Sequence, residues 1–440
     1  INGYYGAVQM ILDRPLTGYG PGAYRIENIR YWTPYEQRWF ATEGKMNFHV
    51  HNDFLETAVD AGLPGAFFYL ALLAFALLRS LAMAGQADPD RRRMGQALAA
   101  CFTVFAVDNL FSFNLQVPVS GGLFFLLVGM LDAQDTGRTT SPSPRWMPLK
   151  AVAPALILAA ISGVFFETRL FRAELLFQRG KGGQVWSNIY LSQGDLRREA
   201  LALRDSSAFF EEGYRILPWD WRFPEAMGQS DLRLRRFDEA IDSFDRALAM
   251  HPYNPKLLVN QAQAYLNRAL PYFERAGRAM PEPPFFEDME KAGSLAQAAL
   301  KWCPVYPEGH EVLGRIVFLR AAAMRVAGRD NPEDWALAAR AFESALRYGA
   351  VNKATALRML AQCHLHLGEP DLAESVLRRA TESDPTDIES WELFQRLAAG
   401  HNREEAFISA LSRQLGQMKL RDPVPVDAVG RVATYLASEY

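Results

Sequence analysis

At 440 residues the chain is long enough for two or three domains, and an apolar content of 49% supplies real cores. The formal net charge of -3 comes with no basic stripe in any segment, so no nucleic-acid partner is expected. The 3 cysteines show no C-x-x-C or Cys/His spacing, which indicates neither a disulfide framework nor a zinc site.

The opening "INGYYGAVQM" has no initiator Met and no signal-peptide pattern, and it reads as the start of a fragment that lacks an N-terminal part. Residues 1–62 are expected to form a loop domain. In "RPLTGYGPGAYRIENIRYWTPYEQRWF" the glycines 18, 20 and 22 precede Arg25, Arg30 and Arg38. No strand leads into them, so the reading is a turn-forming loop and not a dinucleotide fingerprint. Arginines set among aromatic residues suit a bidentate grip on phosphate, or an interfacial belt beside a bilayer.

"HVHNDFLETAVDAGLPG", residues 49–65, carries the densest run of ionisable groups. Asn52 or Asp53 reads as an N-cap, Phe54, Leu55, Ala58 and Val59 as an apolar helix face, and Gly62 with Pro64 as a stop. His51 then stands just before the first turn, where the positive end of the helix dipole favours a neutral imidazole able to act as a general base. Two other readings stay open. His51 and Asn52 could serve only as a cap, or His49, His51 and Asp53 could hold a metal, although no further ligand is evident and no metal is expected. Asp53, Glu56 and Asp60 read most simply as a solvated helix face.

Four apolar stretches follow and make residues 63–167 a transmembrane region: Leu63–Met83, Gly95 to about Phe113, Val117–Leu131 and Met147–Phe166. Arg79, Arg91, Arg92 and Arg93 lie between the first two, and Arg138, Arg145 and Lys150 between the last two. The positive-inside rule puts both loops in the cytoplasm, and with them residues 1–62 and everything after about Glu167 on the far side of the membrane. Asp108 and Asn109, near the outer end of the second stretch, belong at the interface or face a functional cavity.

From 168 to 440 a period of about 34 residues repeats, the length of a tetratricopeptide unit. In the first clear copy Gly228, Ala240, Phe244, Ala247 and Pro252 fall at matching offsets. Copies around Leu360 to Pro385, Ala262 to Pro304 and Leu313 to Ala345 follow, the last two stretched by insertions. A degenerate copy with Phe210, Gly213 and Pro218 precedes them, and Trp391 opens a closing one. The small residues let paired helices approach, and the prolines end the second helix of a pair. "RAMPEPPFFEDME" reads as a Pro-rich loop or short helix on one rim. The solenoid is expected to bind a protein partner. His310, His364 and His366 lack partners at metal or triad spacing and read as packing or surface residues.

"DRPLTGYGPGAY", then "HNDFLETAVDAGLPG", then membrane spans, resembles the C-terminal half of the O-antigen ligase and polymerase superfamily of bacterial envelope enzymes, over roughly residues 1–133. Members with a further span and a periplasmic tetratricopeptide domain match 147–440. The resemblance implies an all-α fold: polytopic membrane helices of the GT-C type, followed by a tetratricopeptide-repeat α-solenoid. It implies a multi-pass protein of the bacterial inner membrane, with the catalytic loop and repeats facing the periplasm. The activity implied is transfer of a glycan from a lipid-linked donor, undecaprenyl pyrophosphate, to an acceptor hydroxyl such as that of lipid A core, without metal or other cofactor. His51 aligns with the motif histidine that accepts the hydroxyl proton, with Asn52 beside it. Arginines of the outer loop hold the leaving pyrophosphate, with Arg38 and Arg30 first and Arg25 behind them. A polysaccharide polymerase or protein O-oligosaccharyltransferase shares this chemistry, and a non-enzymatic membrane-anchored repeat scaffold is the contrasting reading.

Overall fold

A computed structural model describes residues 2–133, 149–277 and 279–400, and every regular element among them is helical. Contacts divide the chain into two units. The first comprises residues 1–181 with short returns at 209–220 and 251–253; the second takes in 182–208, 221–250 and the chain from 254 on.

The first unit begins with helices α1 (Asn2–Asp13), α2 (Tyr24–Glu27) and α3 (Pro34–Glu43). α3 has a full capping box, in which Thr33 and Glu36 each satisfy the other's backbone, and it closes on Gly44 in the left-handed conformation. Helices α4 (Asp53–Ala84), α5 (Pro89–Asp108) and α6 (Pro118–Ala133) follow. They share a core of Leu73, Ala76, Met83, Leu98, Phe102, Phe124 and Leu131. Gly95 lets α4 and α5 touch, because a Cβ there would lie 2.3 Å from the Ala84 amide nitrogen.

Gly62 and Pro64 do not stop α4. They kink it: Gly62 adopts φ 71 and ψ -178 and the helix resumes beyond. The glycine-rich loop fills the break. Val59 and Asp60 carbonyls, freed by the kink, accept from the amides of Tyr19 at 2.8 Å and Gly20 at 2.9 Å, and the Leu63 amide donates to Pro15 at 2.7 Å. Backbone groups orphaned in one element are satisfied by another.

α4 is the one described helix long and apolar enough to cross a membrane, and Val119–Leu131 is a shorter apolar helix. α5 carries Arg91, Arg92 and Arg93 and ends at Asp108, short of the expected span. The expected fourth span falls in α7 (Leu149–Ser192), while Met147, Arg138 and Arg145 lie outside the described residues. Large apolar side chains face outward on several of these helices, among them Phe67, Phe68 and Phe75 on α4, Val104 on α5, Phe125 on α6 and Val164 on α7.

The second unit stacks antiparallel pairs: α9 (Arg222–Arg233) with α10 (Phe237–Met250), α11 (Pro255–Ala276) with α12 (Pro283–Trp302), α13 (Pro307–Val326) with α14 (Pro332–Tyr348), and α15 (Lys353–His366) with α16 (Pro370–Ser383). α17 (Ile388–Gly400), the last described helix, follows and buries Trp391 and Phe394. The expected glycine and aromatic positions meet: a Cβ on Gly228 would sit 2.7 Å from the Phe244 ring, and one on Gly314 3.0 Å from Phe342. In the degenerate first copy, which falls in the first unit, Phe210 on α8 (Leu196–Ile216) packs against Gly180 of α7. Of the two forms expected for the Pro-rich insertion, helix prevails, and it is not short. From Pro283 it is helix, and α11 and α12 reach 22 and 20 residues.

The histidines of α13 and α15 have structural partners. The His364 imidazole bonds Glu369 at 2.7 Å, His310 bonds the Pro304 carbonyl at 2.7 Å, and His366 stacks on Trp335. Cys303 and Cys363 are buried thiols, each pushed up to about 12 by burial. Asp231 is also buried, and desolvation outweighs the opposing Arg236 charge to push its carboxyl from 3.8 up to about 6. The folded state therefore holds this proton more tightly than the unfolded chain does. The corresponding stabilisation is full below about pH 4 and is lost as pH rises through about 6. Asp231→Asn is expected to raise the unfolding midpoint of the repeats at pH 7.5 and to leave it unchanged at pH 4; equal shifts at both values would refute this.

Candidate functional site

The site grows from the extended segment 44–52 and the first turn of α4. Asn52 is the N-cap, its side-chain oxygen accepting the Leu55 amide at 3.0 Å. Its side-chain amide donates to the Leu110 carbonyl at 3.2 Å. The turn after α5, residues 109–115, is thereby laced to the cap. The Asp53 amide donates to the Asn109 carbonyl at 3.0 Å, the Leu115 amide donates to Asp53 at 2.9 Å, and the Tyr4 hydroxyl bonds the carbonyls of His51 and Leu110, each at 3.1 Å. Asn109 is fully buried, and its side chain bonds Tyr69 and Asn114. These bonds tie the turn to α4.

His51 is exposed and adopts φ 57, a left-handed conformation that a side chain with a Cβ seldom takes. Its ring meets the edge of Phe113 at 5.2 Å. His49 lies flat on the same phenylalanine, with centroids 4.3 Å apart and planes 8° apart. The expectation of a solvated acidic face is overturned. Asp53 and Glu56 are each 1% exposed. Glu56 takes the His49 Nδ1 at 2.8 Å with one oxygen and the Val50 amide at 3.1 Å with the other. Asp60 accepts from the Gly22 amide at 3.2 Å, joining α4 to the glycine loop. A period-3.6 pattern marks this face as polar but cannot show that another segment covers it.

The three arginines stand on the outer surface of the same unit. Arg25 is on α2, Arg30 on the 3-10 turn Asn28–Tyr31 and Arg38 on α3, all exposed. Asn28 donates to the Asn47 carbonyl at 2.9 Å, and Tyr24 and Val50 share a core with Ala7, Met10 and Val59. The arginine-bearing segment and the histidine-bearing segment are therefore packed together, although no direct contact joins any of these arginines to His51 among the described residues. Arg30 pairs with Glu27 at 3.0 Å, which holds its guanidinium above the ordinary range. Arg25 and Arg38 have no ion pair among the described residues.

Sequence reasoning missed a second cluster. Asp13 accepts from the hydroxyls of Tyr19 and of Tyr31, the latter at 3.1 Å, and these bonds hold its carboxyl below the usual range. Arg14 lies 4.5 Å over the Tyr19 ring and Arg30 5.5 Å over Tyr31. Only the fold brings residues 13, 19 and 31 together. Among the described residues no three His, Cys, Asp or Glu side chains gather as they would for a metal ion.

Residues 2–70 match the family model of the O-antigen ligase, and residues 225–281 and 333–388 match that of the tetratricopeptide repeat. The chain thus joins an O-antigen ligase segment to tetratricopeptide repeats. Comparison with curated proteins finds no match. Similar solved structures include a thermophilic tetratricopeptide protein of Thermus thermophilus, at 16% identity and TM-score 0.37 over 50% of this chain and 99% of that one. A tetratricopeptide repeat protein from Parabacteroides merdae has 16% identity and TM-score 0.35, over 56% of this chain and 81% of that one. The pilF protein of Pseudomonas aeruginosa has 18% identity and TM-score 0.36, over 55% and 90% respectively.

Proposed function

We propose that the chain is part of a membrane glycosyltransferase that moves a glycan from a lipid-linked pyrophosphate carrier to an acceptor hydroxyl, as an O-antigen ligase does. The observation that supports this most is the ligase match over 2–70, because it spans the glycine loop, the arginines and the exposed His51 on its cap. Residues 1–62 form the catalytic loop on the periplasmic side and 63–167 the membrane region, supported by the length and apolarity of α4 and by outward-facing apolar side chains on its neighbours. The chain from 168 carries the repeat solenoid, described as far as residue 400, on the same side as the loop, where it takes a protein partner.

In the reaction a ring nitrogen of His51 takes the proton from the acceptor hydroxyl as that oxygen bonds to the anomeric carbon. The bond from that carbon to the phosphate oxygen breaks, and its electron pair leaves with the pyrophosphate, whose charge the outer-loop arginines stabilise. Arg38 and Arg25, unpaired among the described residues, are freer for this than Arg30. Lipid A core, a growing polysaccharide or a protein can each supply the hydroxyl, and the shape of the acceptor cavity selects among them.

A scaffold without catalysis is the second reading, favoured by the repeats matched at 225–281 and 333–388. Complementation separates the two. In a strain deleted for the native gene, the full-length gene carrying His51→Ala is expected to lose surface glycan attachment by about a hundredfold or more at normal membrane abundance. An intact glycan ladder with His51→Ala would remove that histidine from the chemistry and favour the scaffold.

A further inference from the structure

His51 has a functional ring with little to hold it. Among the described residues neither ring nitrogen has a hydrogen-bond partner, the side chain is exposed, and the backbone is fixed at φ 57 by the Tyr4 hydroxyl and the Asn52 cap. Among the described residues the ring's one aromatic neighbour is Phe113, met edge-on at 66°. Phe113 lies in the turn after α5 and is itself only partly buried. What steadies it is His49, stacked on it at 8°, and what steadies His49 is the buried Glu56 carboxylate. Glu56 sits in the first turn of α4 and is held by the Val50 amide as well.

We propose that Glu56, His49 and Phe113 form a positioning chain for His51: a carboxylate anchored in the helix orients one imidazole, that imidazole backs the phenylalanine, and the phenylalanine sets the direction of the His51 ring. The proposal rests on the transferase reading above and names residues that act through His51 without touching the reacting atoms. Its physical basis is orientation. A base must lie within hydrogen-bond reach of its proton, and misplacement by about 1 Å costs up to a hundredfold in rate. An exposed side chain on a strained backbone residue does not reach that precision alone, and a flat ring wedged from behind supplies the missing wall.

The test uses membranes from cells expressing the full-length gene, with the polyprenyl-diphosphate glycan extracted from a deletion strain of the same host as donor. Rates are measured against donor and acceptor concentration and against pH. Phe113→Leu keeps apolar volume but removes the ring, and His49→Ala removes the backing. Each is expected to lower kcat by about ten- to a hundredfold with KM within about twofold and the acid limb of the pH profile in place. The deciding variant is His49→Phe combined with Glu56→Gln. It restores a flat ring against Phe113, avoids a buried unpaired carboxylate and cannot carry a proton at position 49.

Recovery of most of the wild-type kcat in this double variant supports the positioning chain. A kcat as low as that of His49→Ala, at normal membrane abundance, overturns it, because the imidazole itself would then be required. Wild-type kcat in Phe113→Leu overturns it as well. These outcomes are distinct from failure of the transferase reading, in which wild-type membranes transfer nothing or His51→Ala transfers normally.

Discussion

Gly62→Ala is expected to destabilise the first unit by on the order of 3 kcal/mol or more. Two costs add. At φ 71 and ψ -178 the backbone lies in a region open essentially to glycine alone. A Cβ there would also stand 2.6 Å from the Leu16 carbonyl oxygen, a backbone atom that cannot swing aside. Moving Leu16 would pull Pro15, Tyr19 and Gly20 from the carbonyls and amide they satisfy on α4. Gly18→Ala should behave alike, since its Cβ would fall 2.4 Å from the Asp60 carbonyl oxygen at φ 64. Gly44→Ala is the control. Gly44 has φ 63 but nothing within 4 Å of a Cβ, so only the left-handed strain of about 1 kcal/mol applies. The measurement is the midpoint of thermal unfolding of the purified protein. Equal shifts for Gly44→Ala and Gly62→Ala would show that the crossing of loop and kink carries no weight.

Phe244→Ala should cost the repeats about 3–5 kcal/mol, the usual range for emptying a fully buried aromatic site. Phe244 has no exposed surface and packs against the space Gly228 leaves open. The cavity therefore opens between α9 and α10, where the backbones are already close and cannot collapse further. In a solenoid each unit touches only its neighbours, so the damage should stay local. Hydrogen exchange is expected to speed up in α9, α10 and α11 and to be unchanged in α15 and α16. Uniform acceleration across all the pairs would instead mean that the repeats unfold as one cooperative body.

Much of the solenoid was legible because its signals are local and repeated. Gly228 with Phe244, Gly314 with Phe342 and the turn residues Pro252, Pro304 and Pro385 stand at offsets that one helical hairpin requires. Where the copy degenerates the local signal fails: Phe210 takes its glycine from α7, thirty residues upstream at Gly180, because a long preceding helix supplies the first member of that pair. The insertion at 283 was legible only as loop or short helix. Its prolines sit at the start of α12, where a missing amide costs nothing, so they begin a helix and do not break one.

The cap of α4 was written in Asn52 and the glycine turn in Gly18, Gly20 and Gly22, since N-caps and positive φ are demands a residue type meets by itself. What the sequence by itself determined is thus the helical hairpins, the caps and the turns. Tertiary structure alone decided that Asp53 and Glu56 are buried and Asp60 half-buried, that α4 kinks and continues at Gly62, and that Phe113, about sixty residues from His49 and His51 in sequence, is their shared neighbour. The physical reason is that a carboxylate's partners and a helix kink's compensation come from segments distant in sequence, and periodicity along one helix contains no information about them.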